Sequence, residues 1–282
     1  MKKGITIWAF KNGTTGNLDL KEVMRKTKEA GFEALELSFY EKGAISFETS
    51  FNELNVFKKK AQNVNISLSS LSTLLLNNFS LTANSIDERR YAYRIVERML
   101  EIAALLEMPT ISISPGMVTA EVSYKTAYDR AFESIQKLGE VAKKMRVQLC
   151  LENVWQGLLQ SPLEFNQFVV NLENPYVGIC LDIGNTLLLG YPQHWVEIMQ
   201  ERIYKIHIDN VRRRRGRFLE FTSLEDGDVN WSLTMKALQK IGYKGYATVE
   251  AFYNNSTEEM VQLKKINKDL QQIIGLLESR NI

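Results

Sequence analysis

Four side chains able to bind a metal close consecutive β-rich runs in the second half of this 282-residue sequence. They are Glu152 in "LENV", Asp182 in "LDIGN", His207 in "IHIDN" and Glu250 in "TVEAF". Each is flanked by apolar residues, so each is expected to ride on a strand and emerge near its end. One acid at a strand end ordinarily serves as a turn or a helix cap. Four such groups converging in a dry pocket would repel one another and be costly to bury unless a cation joined them. Three carboxylates and one imidazole suit a single divalent ion (Mn²⁺, Mg²⁺, Co²⁺ or Zn²⁺), with positions left for substrate oxygens.

Convergence requires a fold that gathers strand ends. Eight β-rich runs are spread along the chain: residues 4–10, 34–40, 66–72, 110–116, 148–154, 177–185, 203–210 and 246–252. Between them lie helix-like segments. "DLKEVMRKTKEAGF" spaces Leu20, Val23, Met24 and Thr27 helically, with Gly31 as the stop. "SIDERRYAYRIVERMLEIAALLEM" is long and amphipathic and ends at Pro109, and "SPLEFNQFVVNL" opens with Ser-Pro. This alternation, without a low-complexity linker, predicts an α/β chain folded as a single (β/α)₈ TIM barrel over residues 1–282. An open doubly wound sheet would not need eight units, and no Gly-x-Gly-x-x-Gly follows the first run. Barrel enzymes place chemistry at the C-terminal ends of the strands, where all four candidate ligands fall.

Composition narrows the partners. With 45% hydrophobic and 24% charged residues the chain has the profile of a globular protein with a sizeable core. A net charge of +2, from 35 basic and 33 acidic side chains, provides no global field for nucleic acid. "MKKGITIWAF" lacks the long apolar stretch of a signal peptide, and no apolar run approaches a membrane span. Two cysteines fit a reducing compartment, so a cytoplasmic location is expected. By strand alternation, Cys150 and Cys180 share the inward face with Glu152 and Asp182, as a small layer beneath them, and Lys205 points inward beneath His207. Glu36, a charge among apolar neighbours in the second run, is left unassigned.

Five arginines lie within "IHIDNVRRRRGR", residues 206–217. Following the seventh strand, Arg212–Arg215 and Arg217 are expected in a loop over the barrel mouth, where such folds often bind phosphate. Arginine's fixed fork of donors suits that task, and the competing reading is a solvated loop. Trp8, Phe10, Trp155 and Phe252 lie near strand ends and could form an apolar wall.

The residues "LENVWQGLLQSPLEF", "VGICLDIGNTLLLGYPQHW", "IYKIHIDN" and "DGDVNWSLTMKALQKIGYKGYATVE" resemble the sugar phosphate isomerase/epimerase group of xylose-isomerase-like barrels. That group includes ketose 3-epimerases and L-ribulose-5-phosphate 3-epimerases. The resemblance covers nearly the whole chain and implies that Glu152, Asp182, His207 and Glu250 bind one divalent metal. It also implies that Glu152 and Glu250 act as an acid/base pair on a ketose or ketose phosphate, through an enediolate the metal stabilises. It implies a substrate contact for Arg213, six residues after His207.

Two positions depart from the ketose 3-epimerase pattern. Asn185 stands where a second histidine is usual, and Leu158 where a glutamate is frequent. Asn185 can still hydrogen-bond a sugar hydroxyl, and the departures shift weight towards phosphorylated sugars. Epimerisation and aldose–ketose isomerisation both remain open, as do a homodimer and a homotetramer. An inosose-dehydratase-like lyase and a catalytically silent sugar-binding barrel are the alternatives. A nuclease of the same fold needs several histidines at a multi-metal site, and the chain has only His194 and His207.

Overall fold

In the computed structural model, which describes residues 1–214 and 219–276, eight parallel strands close into a barrel. They are β1 (Lys2–Thr6), β2 (Ala34–Ser38), β3 (Ser67–Ser72), β4 (Thr110–Ile113), β5 (Gln148–Glu152), β6 (Val177–Asp182), β7 (Ile203–Ile208) and β10 (Tyr246–Val249). The order around the barrel is β1-β10-β7-β6-β5-β4-β3-β2. Every strand pairs with its sequence neighbours except across one insertion. Between β7 and β10 lies a two-stranded antiparallel hairpin of β8 (Asn210–Arg213) and β9 (Leu219–Thr222). The arginine run expected in a loop therefore begins on a strand, while Arg215 and Arg217 lie outside the described residues. Main-chain pairing of Arg212 with Glu220 and of Arg213 with Leu219 makes the difference.

Among the described residues, eight α-helices surround the barrel: α1 (Leu20–Glu29), α2 (Phe51–Asn63), α3 (Ile86–Leu105), α4 (Tyr124–Met145), α5 (Pro162–Asn171), α6 (Pro192–Met199), α7 (Trp231–Lys240) and α8 (Glu259–Gly275). Their starts are written in the sequence. Asp19, Ser50, Ser85, Ser123, Ser161, Asn230 and Glu258 each accept a hydrogen bond from a first-turn N–H. A cap of this kind is worth about 1 kcal/mol. After α1, Gly31 takes the left-handed conformation (φ +91°) that lets the chain turn into β2. Among the described residues no helix is long and apolar enough to cross a membrane.

The core is double: apolar side chains fill the space between barrel and helices, and polar ones occupy the barrel's own interior. Ile5, Leu35, Leu37, Leu149, Leu151, Ile179, Leu181, Ile206 and Ile208 are fully buried, and so are Glu36, Ser70, Thr248 and His207. Alternation along the strands sorts the two sets.

In the outer core, Phe168 on α5 meets Tyr128 and Phe132 of α4 edge to face, with centroids 5.1 and 5.5 Å apart. Phe168→Ala should cost about 3–5 kcal/mol, read as a shift in the urea midpoint. A loss below about 1 kcal/mol would mean that this seam collapses without strain.

Candidate active site at the barrel mouth

Main-chain ladders bring the four acidic and imidazole groups to one end of the barrel. Asp182 pairs directly with His207, and Glu152 pairs with Cys180, two residues before Asp182. Beyond the strand ends the ladder continues, with Ile183 N–H donating to His207 O (3.2 Å) and Glu250 N–H to Ile208 O (3.1 Å). Asn153 then acts as a false strand residue: its Oδ1 accepts from Asp182 N–H (2.8 Å) and its Nδ2 donates to Asp182 O (2.9 Å). Those two bonds tie the tip of β6 to the tip of β5. Sequence reasoning passed over Asn153, whose only signal is its place directly after Glu152.

Ligand-capable atoms of Glu152, Asp182, His207 and Glu250 all lie within 4.8 Å of one another. His207 Nδ1 sits 3.0 Å from Glu152 Oε1 and 2.9 Å from Glu250 Oε2. Asp182 Oδ1 accepts from Asn185 N–H (2.7 Å), which fixes the rotamer of Asp182. The His207 ring is fully buried, whereas the side chains of Glu152 and Glu250 keep 13% and 15% exposure. The two glutamates thus face the mouth while Asp182 and His207 close the site from below. Cys180 could form a second, sulfur-containing group with Glu152 and His207, but its Sγ also faces Lys205 Nζ at 3.5 Å. Lys205 does not reach solvent through the barrel floor. It is buried and ion-paired with Glu36 (2.6 Å), and the Glu36 Oε1 atom lies 3.0 Å from His207 Nε2.

Asp209 is a further acid at this mouth that sequence reasoning did not single out. It is 3% exposed, and its Oδ1 accepts from Gly184 N–H at 2.6 Å. A Cβ on Gly184 would fall 2.2 Å from Asp209 Oδ2, so only glycine permits this approach. Asp209 Oδ2 and Glu250 Oε2 are buried without a hydrogen-bond partner.

Crowding shows in the proton affinities. Burial, with Glu250 beside it, pushes Asp209 up to about 7, and burial with the Asp209, Glu250 and Glu152 charges raises Asp182 well above its usual range. Burial likewise raises Glu250. Glu36 goes the other way: burial works to raise it, but Lys205 and His207 outweigh that and hold it at about 2. Burial opposes charge on His207, yet Cys180, Glu36 and Glu152 lift it well above 6.5.

The remaining candidates form the rim. Trp8 and Phe252 stack in parallel 5.8 Å apart, Phe252 meets Phe221 of β9 at 6.5 Å, and Phe221 stacks on Trp155 at 5.6 Å. Phe221 was not anticipated, because its hairpin was not. Trp155 Nε1 donates to Asn185 O (3.2 Å), linking Asn185 to this arc. Arg213 is turned towards the loop after β6. Its Nε donates to Leu187 O (2.7 Å), its Nη2 to Gly190 O, and its guanidinium lies 4.7 Å over the Tyr191 ring. Arg214 pairs with Glu220, and Arg212 donates to Asp226 O. His194 is exposed on α6, edge-on to Tyr191.

The family described as xylose isomerase-like TIM barrel matches residues 24–277, nearly the whole length of the chain. The chain belongs to this family. Among curated proteins, this xylose isomerase-like barrel is 24% identical over 193 residues to an uncharacterized protein of Methanocaldococcus jannaschii, covering 66% of this chain and 64% of that one. It is 23% identical over 172 residues to an inosose dehydratase of Lacticaseibacillus casei, covering 56% of each. Both matches take in less than two thirds of the relative's length. Among solved structures, D-psicose 3-epimerase in the presence of D-fructose superposes with a TM-score of 0.80 over 98% of this chain and 100% of that one, at 18% identity. At that identity the likeness is one of fold.

The proton affinities predict how the xylose isomerase-like barrel behaves in chelator. Between Asp209's ordinary 3.8 and about 7 the folded chain binds more protons than the unfolded one, so stability falls as pH rises through that window. Asp182 and Glu250 act in the same direction, and His207 extends the decline above 6.5. Glu36 opposes it only at lower pH, its contribution being lost as pH falls from 4.5 through about 2. Melting temperature in EDTA should therefore drop from pH about 4 to about 7, and Asp209→Asn should flatten that slope. An unchanged slope in the variant would separate Asp209 from the crowding.

Proposed function

We propose that the protein is a divalent-metal-dependent isomerase or epimerase acting on a ketose. One observation carries this reading: three carboxylates and an imidazole converge within 4.8 Å at the mouth, with the two glutamates open to it and the other two groups buried. The donor set fits a cation, with Glu250 Oε2 buried and lacking a hydrogen-bond partner beside His207 Nδ1. Its oxygen-rich character favours Mn²⁺, Mg²⁺ or Co²⁺, with Zn²⁺ also compatible. Glu152, Asp182, His207 and Glu250 would hold the ion, which supplies Lewis-acid stabilisation of charge developing on a substrate carbonyl oxygen. The epimerase fold neighbour supports the sugar assignment.

On this reading one glutamate takes the proton from the carbon next to the carbonyl, and the freed electron pair moves onto the carbonyl oxygen. The other glutamate returns a proton to carbon. Glu152 leaves β5 and Glu250 leaves β10, on opposite flanks of His207, so the two can serve opposite faces of a sugar held between them. That placement supports epimerisation over same-face return. Asn185, held by Asp182 and Trp155, is placed to bond a sugar hydroxyl, and Trp8, Trp155 and Phe252 with Phe221 supply the apolar wall.

Arg212, Arg213 and Arg214 each spend donors on the protein itself, which supports an unphosphorylated substrate. Arg213 on this reading acts at one remove, bracing the loop through Leu187 and Gly190. The inosose dehydratase likeness favours one other outcome, in which the same proton removal is followed by expulsion of a β-hydroxyl.

Incubating a panel of free ketoses and ketose phosphates with Mn²⁺ in D₂O tests the assignment. Deuterium entering the sugar at carbon is expected, loss of water would make the protein a lyase, and no change would make it a binding protein. Glu152→Gln and Glu250→Gln should each lower turnover on the order of 10²–10⁴-fold at saturating Mn²⁺. Either variant retaining near wild-type rates leaves that residue without an acid/base role. Replacing Arg212, Arg213 and Arg214 by alanine one at a time should leave the preference between a ketose and its phosphate within a few-fold. A selective loss on the phosphate with Arg213→Ala would reinstate a phosphate grip, because a charge-assisted contact is worth roughly 1.5–3 kcal/mol.

A further inference from the structure

His207 has a carboxylate at each nitrogen, and only one of its tautomers leaves Nδ1 able to ligate. Nδ1 faces Glu152 and Glu250, and Nε2 faces Glu36 Oε1 at 3.0 Å. Lys205 Nζ also lies against Nε2. If Lys205 donated to Nε2, the neutral ring would carry its proton on Nδ1, pointing at the carboxylates, and could not bind a cation there. Lys205 has three protons, and three other acceptors surround it: Glu36 Oε2 at 2.6 Å, and Ser112 Oγ and Cys180 Sγ each at 3.5 Å. That leaves Glu36 Oε1 to receive the Nε2 proton.

We propose that Glu36 and Lys205 are positioning residues for His207. The ion-paired carboxylate of Glu36 accepts the Nε2–H, and so presents the Nδ1 lone pair to the space shared with Glu152, Asp182 and Glu250. Glu36 sits on β2, separated from β7 by β1 and β10, so the contact crosses the interior and fixes the ring plane as well as its tautomer. An imidazole ligand is commonly oriented in this way by a carboxylate on its second nitrogen. Without Lys205, Glu36 would be a bare buried charge, and a proton would settle on it in place of the hydrogen bond to His207. The simpler alternative is that Glu36 and Lys205 only neutralise each other in the core.

This inference rests on the cation reading of the mouth, and two measurements on the full chain separate them. The sequence has only two histidines, so [¹⁵N]histidine labelling gives two ring systems, one of them the exposed His194. With Zn²⁺ as a diamagnetic probe, His207 should show a coordinated Nδ1 and a protonated Nε2. The double variant Glu36→Leu/Lys205→Met removes both charges, so its melting temperature should recover relative to Glu36→Leu alone. Its Mn²⁺ dissociation constant by calorimetry should nevertheless rise roughly 10–100-fold, and the Nε2–H signal of His207 should be lost. Glu36→Gln, which keeps volume and a carbonyl acceptor, should retain the tautomer and fall between the two.

A double variant that binds Mn²⁺ like wild type and keeps the Nε2–H overturns the proposal and leaves the cation reading intact. A wild-type chain that binds neither Mn²⁺ nor Zn²⁺ overturns both. If the double variant does not fold, the wild-type ring decides alone: coordination through Nε2, or a proton on Nδ1, overturns the assignment.

Discussion

The imidazole of His207 stands between two kinds of buried acid, and the polar interior of the barrel divides at its ring plane. Below it, Glu36 meets Lys205 at 2.6 Å and the charges cancel. Above it, Glu152, Asp182, Asp209 and Glu250 crowd a space where, among the described residues, His207 is the basic group they meet, and three of the four have raised proton affinities as a result. Burying an ion costs several kcal/mol even after relaxation. A chain that neutralises one layer and leaves the next acidic therefore holds the upper layer at a cost in stability, which a cation would relieve.

The supporting structure is arranged around keeping that upper layer in place. Asn153 extends the β5–β6 ladder by one false residue, Gly184 admits Asp209 where any side chain would collide, and Asn185 N–H fixes Asp182 from the loop. The hairpin of β8 and β9 is pinned by Asn210, whose Oδ1 accepts from Val211 and Val229 N–H and whose Nδ2 donates to Leu224 O. From that hairpin Arg213 reaches the loop after β6 and Phe221 reaches the aromatic rim. Each part couples one strand end to its neighbour, and Asp182 and Asp209 are each held through one carboxylate oxygen by a main-chain N–H of the loop after β6.

Much of this was legible in the sequence, for reasons that can be separated. The eight strands and several of the helices were readable because alternation, helical spacing, the Ser-Pro opening of α5 and Pro109 are local signals. Glu152, Asp182, His207 and Glu250 stood out because a barrel carries a charge at the end of an apolar run to its mouth, where the four strand ends meet. The hairpin was hidden by its composition: "NVRR" presents two arginines where a strand ordinarily alternates, and its partner "LEFT" is too short to announce itself. Glu36 and Lys205 each stand out in the sequence as a lone charge, because the two halves of the pair are far apart in sequence and meet only across the barrel. Asp209 was masked by standing two residues from the more conspicuous His207.

The division of charge also bears on what can enter. An acidic floor repels an anionic group and attracts none, unless a cation overcompensates it. Above that floor the rim of Trp8, Phe252, Phe221 and Trp155 is apolar and continuous from β1 around to β5. Such walls are matched by the C–H faces of a neutral polyol, whose hydroxyls can point down at carboxylates while its carbons lie against the rings. The described arginines, which would be the natural counterweight to a phosphate, are instead used to build the hairpin and brace its neighbour. On the proposed reading, then, the way the described arginines are used favours an uncharged sugar. The cation's open positions and the aromatic wall would recognise opposite sides of one molecule.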